Sequence, residues 1–543
     1  MSRRCWTRTS EARAASVRLL TNSPHNGRAW PERLLNYRGA WWRGPLAPVR
    51  LLTNSPHNGR AGPERLSSCR EAWWRGPLAP VRLLTNSPHN GLAPVRLLAI
   101  LILSLVPASA QASQPDQFHV YTDAPRLFLR PQRLRLLRRE RDRQSARWTQ
   151  LETLIAGGAQ MKEPGFAEAL VFATTGDKSA ARRALRNASD VAGDARQAAF
   201  VIDWCRDALS GDERQALAKR LAAVLTSDSA TDIAAVRNRV LAAIAIADYD
   251  PAATARTLQR VVADWWRGQT APALRSGDRT LTYAELYPFF EILHAIRDNL
   301  NIDLREDAPE YFKDLPLWYL TGFYPAPYAS AASEYRIPCW TVQEKPGTGE
   351  PDLTGAALAR AAGLALVASD TNGIEAQYVQ SFLMQDRLMM RETLGAPYEF
   401  LWANPYQPGL AYALLPPEFY DARDGALFLR SSWDDDARWF GIVGHELQLF
   451  DNGHVHVLEL RPTGGEPRPL ELGAAEVVQA RVPMHFQAEA NTLFVVGLKP
   501  GAGYDVEVED EEMQEFTADR AGTLRLDLPK DRASAVYLSG APR

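Results

Sequence analysis

The chain has 543 residues, with 62 Lys+Arg against 64 Asp+Glu and a formal net charge of −2. That near-neutral figure hides an uneven distribution, because residues 1–112 hold 16 basic and four acidic side chains and leave 46 against 60 in the remainder, a net of −14. An acidic body of this kind excludes nucleic acid as a natural partner, and an anionic ligand would need its own local arginine cluster.

Three copies of one stretch open the chain. VRLLTNSPHNG begins at Val17, Val49 and Val81, a spacing of 32 residues, and WWRGPLAP recurs at Trp41 and Trp73. Stacked arrays need about three such units, but each copy offers only Leu and Trp pairs among Pro, Gly, Asn and Arg, too little apolar surface to offset chain ordering. Residues 1–94 are expected to be a disordered or untranslated tandem repeat, with translation starting at a non-Met codon near Val95. Residues 95–112 read as a secretory signal peptide: Arg96, an apolar core from Leu97 to Val106, and small residues at Ala108-Ser109-Ala110 or Ala110-Gln111-Ala112. That core is about ten residues, against roughly 20 for a bilayer span. The protein is therefore expected to be exported (periplasmic, secreted or at the cell envelope), with no membrane span in its mature part.

Residues 113–543 suit two or three domains. Only Cys205 and Cys339 remain there, so one disulfide or two buried thiols are open. No Cys/His spacing suggests a metal and no motif suggests a cofactor. From Pro131 to about Met390 apolar residues recur at three and four, as at Leu217, Leu221, Val224 and Leu225, a helical period. Ser210–Glu213 and Thr282–Glu285 read as capping boxes, and short connections predict antiparallel hairpins. This helical domain is expected over 113–310 and 351–424, interrupted by an aromatic and Pro-rich loop at 311–350. After about Gly425 the period switches to two, with Asp451-Asn452-Gly453 as a hairpin turn. Residues 425–543 are therefore expected to form an antiparallel, sandwich-like β domain, giving an α+β multidomain chain.

There is no GxSxG, P-loop, HExxH or glycine-rich dinucleotide loop. Three stretches instead carry a family likeness: Ala124-Pro-Arg-Leu-Phe-Leu129, the run DWCRDALSGDERQALAKRLA at 203–222, and LFLRSSWDDDARWFGI at 427–442. In their order and spacing they resemble the heparinase II/III-like polysaccharide lyases. The resemblance implies an incomplete α/α toroid joined to β-sandwich layers, and β-elimination on a uronate-containing polysaccharide or oligosaccharide. Such a reaction needs a base, an acid for the leaving oxygen, and a group that neutralises the sugar carboxylate. Asn238 falls where the family tends to place an Asn, with Arg237 and Arg239 beside it. Tyr283 and Tyr287, four apart, would share a helix face that continues through Glu291 and His294, unless Pro288 kinks it. Either Tyr would act as acid or base, with Asn238 or an Arg as neutraliser and His294 as helper. Trp265, Trp266, Tyr335 and Arg336 are candidate sugar contacts. The family's His-x-His-x-Asp turn is replaced here by His454-Val-His456-Val457-Leu458.

Two other functions compete with a lyase. A non-catalytic glycan-binding or cell-envelope scaffold predicts a groove lined by Trp265, Trp266, Trp318 and Tyr335. A glycosidase predicts two carboxylates flanking a sugar bond, drawn first from Glu291, Asp298 and Glu334.

Overall fold

The structure is a computed structural model. It describes residues 118–190, 194–226, 232–279, 281–331, 333–339, 351–369, 373–384, 388–405, 409–411, 414–443, 446–458, 469–509, 511–530 and 532–540. The tandem repeat and the signal peptide lie outside the described residues.

The helical half consists of hairpins. Its helices are α1 (Pro131–Asp142), α2 (Ala146–Ala156), α3 (Pro164–Thr175), α4 (Lys178–Asp190), α5 (Ala195–Trp204), α6 (Gly211–Leu225) and α7 (Ile233–Ala245). There follow α8 (Pro251–Arg260), which runs on into a π-helix (Val261–Thr270), α9 (Ala271–Arg275), α10 (Leu286–Leu300), α11 (Pro309–Thr321), α12 (Leu353–Ser369), α13 (Ile374–Leu383) and α14 (Gly395–Trp402). Start signals act locally: Ser210 and Glu213 close a capping box on α6, and Asp232 and Asp250 cap α7 and α8.

Burial separates the helices into two layers. Every residue of α5 and α14 is buried, as is nearly all of α10, the mark of helices covered all round. Helices α3, α5, α7, α10, α12 and α14 touch in succession, and α14 returns onto α2 and α3, closing a ring. Helices α4, α6, α8, α11 and α13 pack outside it. This is the helical toroid expected.

One boundary differs from expectation. The aromatic stretch read as loop from 311 begins as helix α11, because Tyr311, Leu315, Trp318 and Tyr319 recur at helical spacing and bury together. Pro316 is accommodated inside it. The chain leaves the helix at Gly322, where a Cβ would overlap the Tyr283 hydroxyl, so this close approach requires glycine.

A short antiparallel ribbon of β1 (Tyr328–Ala329) and β2 (Glu334–Tyr335) follows α11, and the β half beyond the helices is three stacked sheets. The first is the meander β3 (Glu418–Asp421), β4 (Ala426–Arg430), β5 (Trp439–Val443), β6 (Glu446–Asp451) and β7 (His454–Leu458), antiparallel throughout. Asn452 and Gly453, both at positive φ, form the two-residue β6–β7 turn. The second sheet orders β14 (Thr523–Asp527), β11 (Thr492–Val496), β9 (Ala475–Gln479) and β8 (Leu470–Leu472), with β9 and β11 parallel. The third orders β10 (Met484–Ala488), β15 (Ser534–Gly540), β12 (Gly503–Val508) and β13 (Gln514–Thr517).

The two-residue period explains the stacking. Phe428 and Phe450 face the ring's core, whereas Leu427, Leu429 and Leu447 face Val477 and Phe494 of the second sheet. On the far side of that sheet, Val478, Leu493 and Val495 meet Phe486, Val506 and Leu538 of the third.

Ring and first sheet are joined by polar bonds as well. Trp439 Nε1 donates to Thr321 O at 2.8 Å, and Arg430 Nη1 to Phe323 O at 2.9 Å. Arg279, 6 % exposed, reaches Asp421 at 2.8 Å and Asp424 at 2.9 Å on the β3–β4 turn. Arg423 of that turn pairs with Asp314 of α11. Gly277, at φ +85, lets the helical loop approach Arg423, where a Cβ would stand 2.7 Å from that residue's own.

The described cysteines, Cys205 and Cys339, are both buried thiols. Burial pushes the Cys205 thiol up to about 12, and no disulfide joins them.

Candidate functional site

Charged residues gather where the inner helices begin. Glu163 is the residue before α3, Arg196 the second of α5, and Arg237 the fifth of α7. Tyr287 and Glu291 lie one turn apart at the start of α10, and Tyr398 is in α14. The six meet inside the ring.

Arg196 is the hub. Its Nε reaches both oxygens of Glu291 at 3.0 and 3.1 Å, and its Nη2 reaches Glu291 at 2.7 Å and the Tyr287 hydroxyl at 3.2 Å. Its Nη1 donates to Glu163 at 2.7 Å. The guanidinium also lies about 5 Å from the centres of the Phe166 and Phe200 rings, 4.9 Å in each case, a cation–π setting. Arg237 Nη1 takes the other side of Glu291 at 3.1 Å, and its Nε donates to Asn238 Oδ1 at 3.0 Å. Trp402 Nε1 donates to the Tyr287 hydroxyl at 3.1 Å, and the Tyr398 hydroxyl donates to Glu163 at 2.5 Å. Next to Tyr398, Glu399 pairs with Arg360 and with Arg147.

The network is closed at its centre and open at its rim. Arg196 and Glu291 are 1 % and 0 % exposed, whereas the Glu163 and Arg237 side chains retain 22 % and 16 %. Burial alone would raise Glu291, but Arg196 and Arg237, with hydrogen bonds from Arg196 and Tyr287, hold it below the usual carboxylate range. Burial, then Glu291, pushes the Tyr287 phenol well above 10. Its proton is therefore firmly held, and two donors already occupy its oxygen.

The other end of the ring is basic. Arg133 of α1 donates to Trp402 O and Ala403 O, Arg138 to Ala173 O, Arg141 to Thr174 O, and Arg297 to Ser369 O. These are the last carbonyls of α14, α3 and α12, which lack helical partners.

The sequence candidates thus divide. Tyr287, Arg237 and Asn238 come together. Tyr283 does not join them, because α10 starts only at Leu286 and the Thr282–Glu285 box closes a turn ahead of the helix. Tyr283 instead stacks on Trp318 at 4.5 Å and donates to its carbonyl at 3.0 Å. Pro288 sits in the first turn of α10, where its missing N–H costs nothing. His294 lies two turns from Tyr287, buried, with Nε2 bonded to Ala365 O at 2.9 Å and Nδ1 facing Arg297 at 3.0 Å. Burial and that guanidinium lower it to about 3, which keeps it neutral.

The candidate sugar contacts are mostly enclosed. Trp266 is fully buried and donates to Asp307 at 3.0 Å, and Trp265 is half-buried beside it in the π-helix. Arg239 is half-buried on α7. Tyr335 and Arg336 line a crevice with Tyr319, Phe323 and Arg360, holding space for about one water. Arg336 pairs there with Asp435 at 2.9 Å. With Trp318 also buried, these rings do not line the groove expected of a scaffold. Glu291, Asp298 and Glu334 do not converge either, since Asp298 sits at the basic end with Arg130 and Arg297.

Val455 and Val457 face the ring's core, so His454 and His456, alternating with them, face away. Among the described residues no β-region histidine joins the network, and His445 lies outside them. Arg196, Glu163, Tyr398 and Trp402 escaped the sequence reading. One signal existed: Arg196 is a charged residue in ARQAAFVIDW, a helix otherwise suited to burial.

No family model matches the chain and no curated protein matches it. Solved structures do show likeness. The heparan sulfate lyase HepC from Pedobacter heparinus aligns with a TM-score of 0.30 and 11 % identity, over 69 % of this chain and 75 % of that one. A glycoside hydrolase aligns at 0.28 and 11 %, over 70 % and 72 %. A GH127 β-arabinofuranosidase aligns at 0.26 and 10 %, over 78 % of this chain and 80 % of that one.

Proposed function

We propose that this is an exported, heparinase II/III-like protein that binds an acidic, uronate-bearing glycan at the opening of the helical ring, without cleaving it. One contrast carries the reading. Arg237 and Asn238 stand at the rim, where a sugar carboxylate reaches them, while the Tyr287 hydroxyl is sealed beneath and saturated by Arg196 and Trp402. An acid or base must touch the substrate, and a guanidinium beside an amide suits carboxylate recognition.

β-Elimination is the second reading. It is favoured by the meeting of Tyr287, Arg237 and Asn238 in one network, with Tyr287 as the acid once the rim opens.

One experiment separates the two. Uronate polysaccharides are titrated by calorimetry while the ultraviolet absorbance of an unsaturated product is followed in the same sample. Binding with flat absorbance, weakened by Arg237→Ala, is the expected result. A rise in absorbance that Tyr287→Phe abolishes establishes the lyase instead, and no binding to any uronate polymer rejects both.

A further inference from the structure

Two buried arginines share one small crevice outside the Arg196 network. It lies where β2, α12 and α13 meet, walled by Phe323, Ala356, Phe382 and Leu388, with Arg336 and Arg360 as its charged lining. Both arginines are 8 % exposed. Among the described residues, no carboxylate lines the crevice. The sequence sets this up: Arg336 follows directly on β2, and Arg360 is the one charged residue of α12, four after Ala356 and therefore on the same face.

The charges around Arg360 do not balance. Its Nε donates to Glu399 and its Nη2 to Leu383 O at 3.0 Å. Glu399 is 1 % exposed and is also held by Arg147, at 3.3 Å. One buried carboxylate thus answers two guanidinium groups. Glu392, which approaches Tyr335, is turned onto the N–H groups of Leu394 and Gly395. Arg336 gives its Nη2 to Asp435, whose side chain is 42 % exposed. The Nη1 edge of Arg360 is left without a hydrogen bond to the described residues. A buried charge with only half a counter-charge is costly unless something else compensates it.

Space and donor chemistry choose the compensating group. The crevice has room for about one water-sized sphere, too little for a sugar ring or a sulfate. Guanidinium N–H groups only donate. A water has two hydrogens of its own to place, and the carbonyl at hand, Leu383 O, already accepts from Arg360. A halide only accepts. We infer that this crevice is a chloride site, in which one ion sits between Arg336 and Arg360 and ties the segment after β2 to α12 and α13. The inference does not rest on the glycan reading. The acidic body does not oppose it, because exposed charges beyond about 10 Å are screened at 0.1 M salt, and the charged groups lining the crevice are guanidinium.

The test is thermal unfolding of the full chain in sodium chloride against sodium gluconate at equal ionic strength, with sodium bromide and sodium formate as further arms. An ion bound only by the fold stabilises it as the logarithm of its concentration above Kd. Chloride and bromide should therefore raise the melting temperature above the gluconate value by roughly 2 °C or more. Ala356→Leu, which fills the crevice without changing charge, should erase that difference and the broadening of the chloride NMR signal by the protein. Should this variant melt early in gluconate as well, Arg336→Gln carries the test, with the same loss expected. Equal melting in chloride and gluconate overturns the site, as does a halide effect that survives both variants undiminished. Stabilisation by formate without stabilisation by chloride overturns the halide assignment.

Discussion

Arg196 closes on Glu291 inside the helical ring, three N–H···O contacts of 2.7 to 3.1 Å between two side chains that solvent does not reach. Removing one charge of such a pair strands the other. Glu291→Gln should therefore cost ~3–5 kcal/mol, read as a lower urea midpoint with an unchanged slope. A loss below 1 kcal/mol would mean that Glu163 alone compensates Arg196.

The two tyrosines should separate by function and not by stability. Tyr287→Phe leaves Trp402 Nε1 without its acceptor, and Tyr283→Phe leaves Trp318 O with the Gly322 N–H alone, at 3.3 Å. Each should cost about 1–3 kcal/mol. Only Tyr287→Phe should change the Arg237-dependent glycan affinity, measured by calorimetry, because only it supports the network beneath the rim.

His294 should set part of the acid sensitivity. It stays neutral in the fold down to about 3, whereas the unfolded chain takes up a proton near 6.5. Below that pH the unfolded state binds more protons, so stability falls as pH drops from about 6.5 toward 3, by at most about 1.4 kcal/mol per unit. His294→Gln should flatten this limb in melts between pH 7 and pH 4. An unchanged slope would place the acid sensitivity elsewhere.

Arg279 should hold the two halves in one transition. It faces Asp421 and Asp424 across the junction, and Arg279→Ala leaves Asp424 without that cation and Asp421 with Arg423 alone. The expected cost is ~3–5 kcal/mol, with calorimetry showing separate melting of the helical ring and the sheets. A single transition at the original temperature would show that apolar packing suffices.

Much of the architecture was legible because it follows from period. Alternation placed Leu427 and Leu429 on one side of a sheet and Phe428 on the other, and three-four spacing marked the helices. The stretches that carried the family likeness prove to be clamps. Asp203 accepts the backbone N–H groups of Arg126 and Leu127, Trp204 Nε1 donates to Leu127 O, and Arg430 holds Phe323 O. They speak for the fold and are silent on chemistry. The site was harder to see, because Glu163, Arg196, Arg237, Glu291 and Tyr398 are scattered over 235 positions and only ring closure unites them. Tyr283 misled for a local reason: a capping box ending one residue before its helix looks, in sequence, like the helix itself.

The two ends of the ring together have a consequence for whatever enters it. Arginines close the carbonyl ends of α3, α12 and α14, and at the amide end of α3 the Gln197 side-chain oxygen accepts from the Gly165 and Phe166 N–H groups, so both ends of that helix are occupied before any ligand arrives. An anion at the opening cannot simply be drawn in by an unspent field. It must compete, taking Arg237 from Glu291 as it binds. Association there is an exchange of partners, slow to reward weak acids and only mildly sensitive to salt.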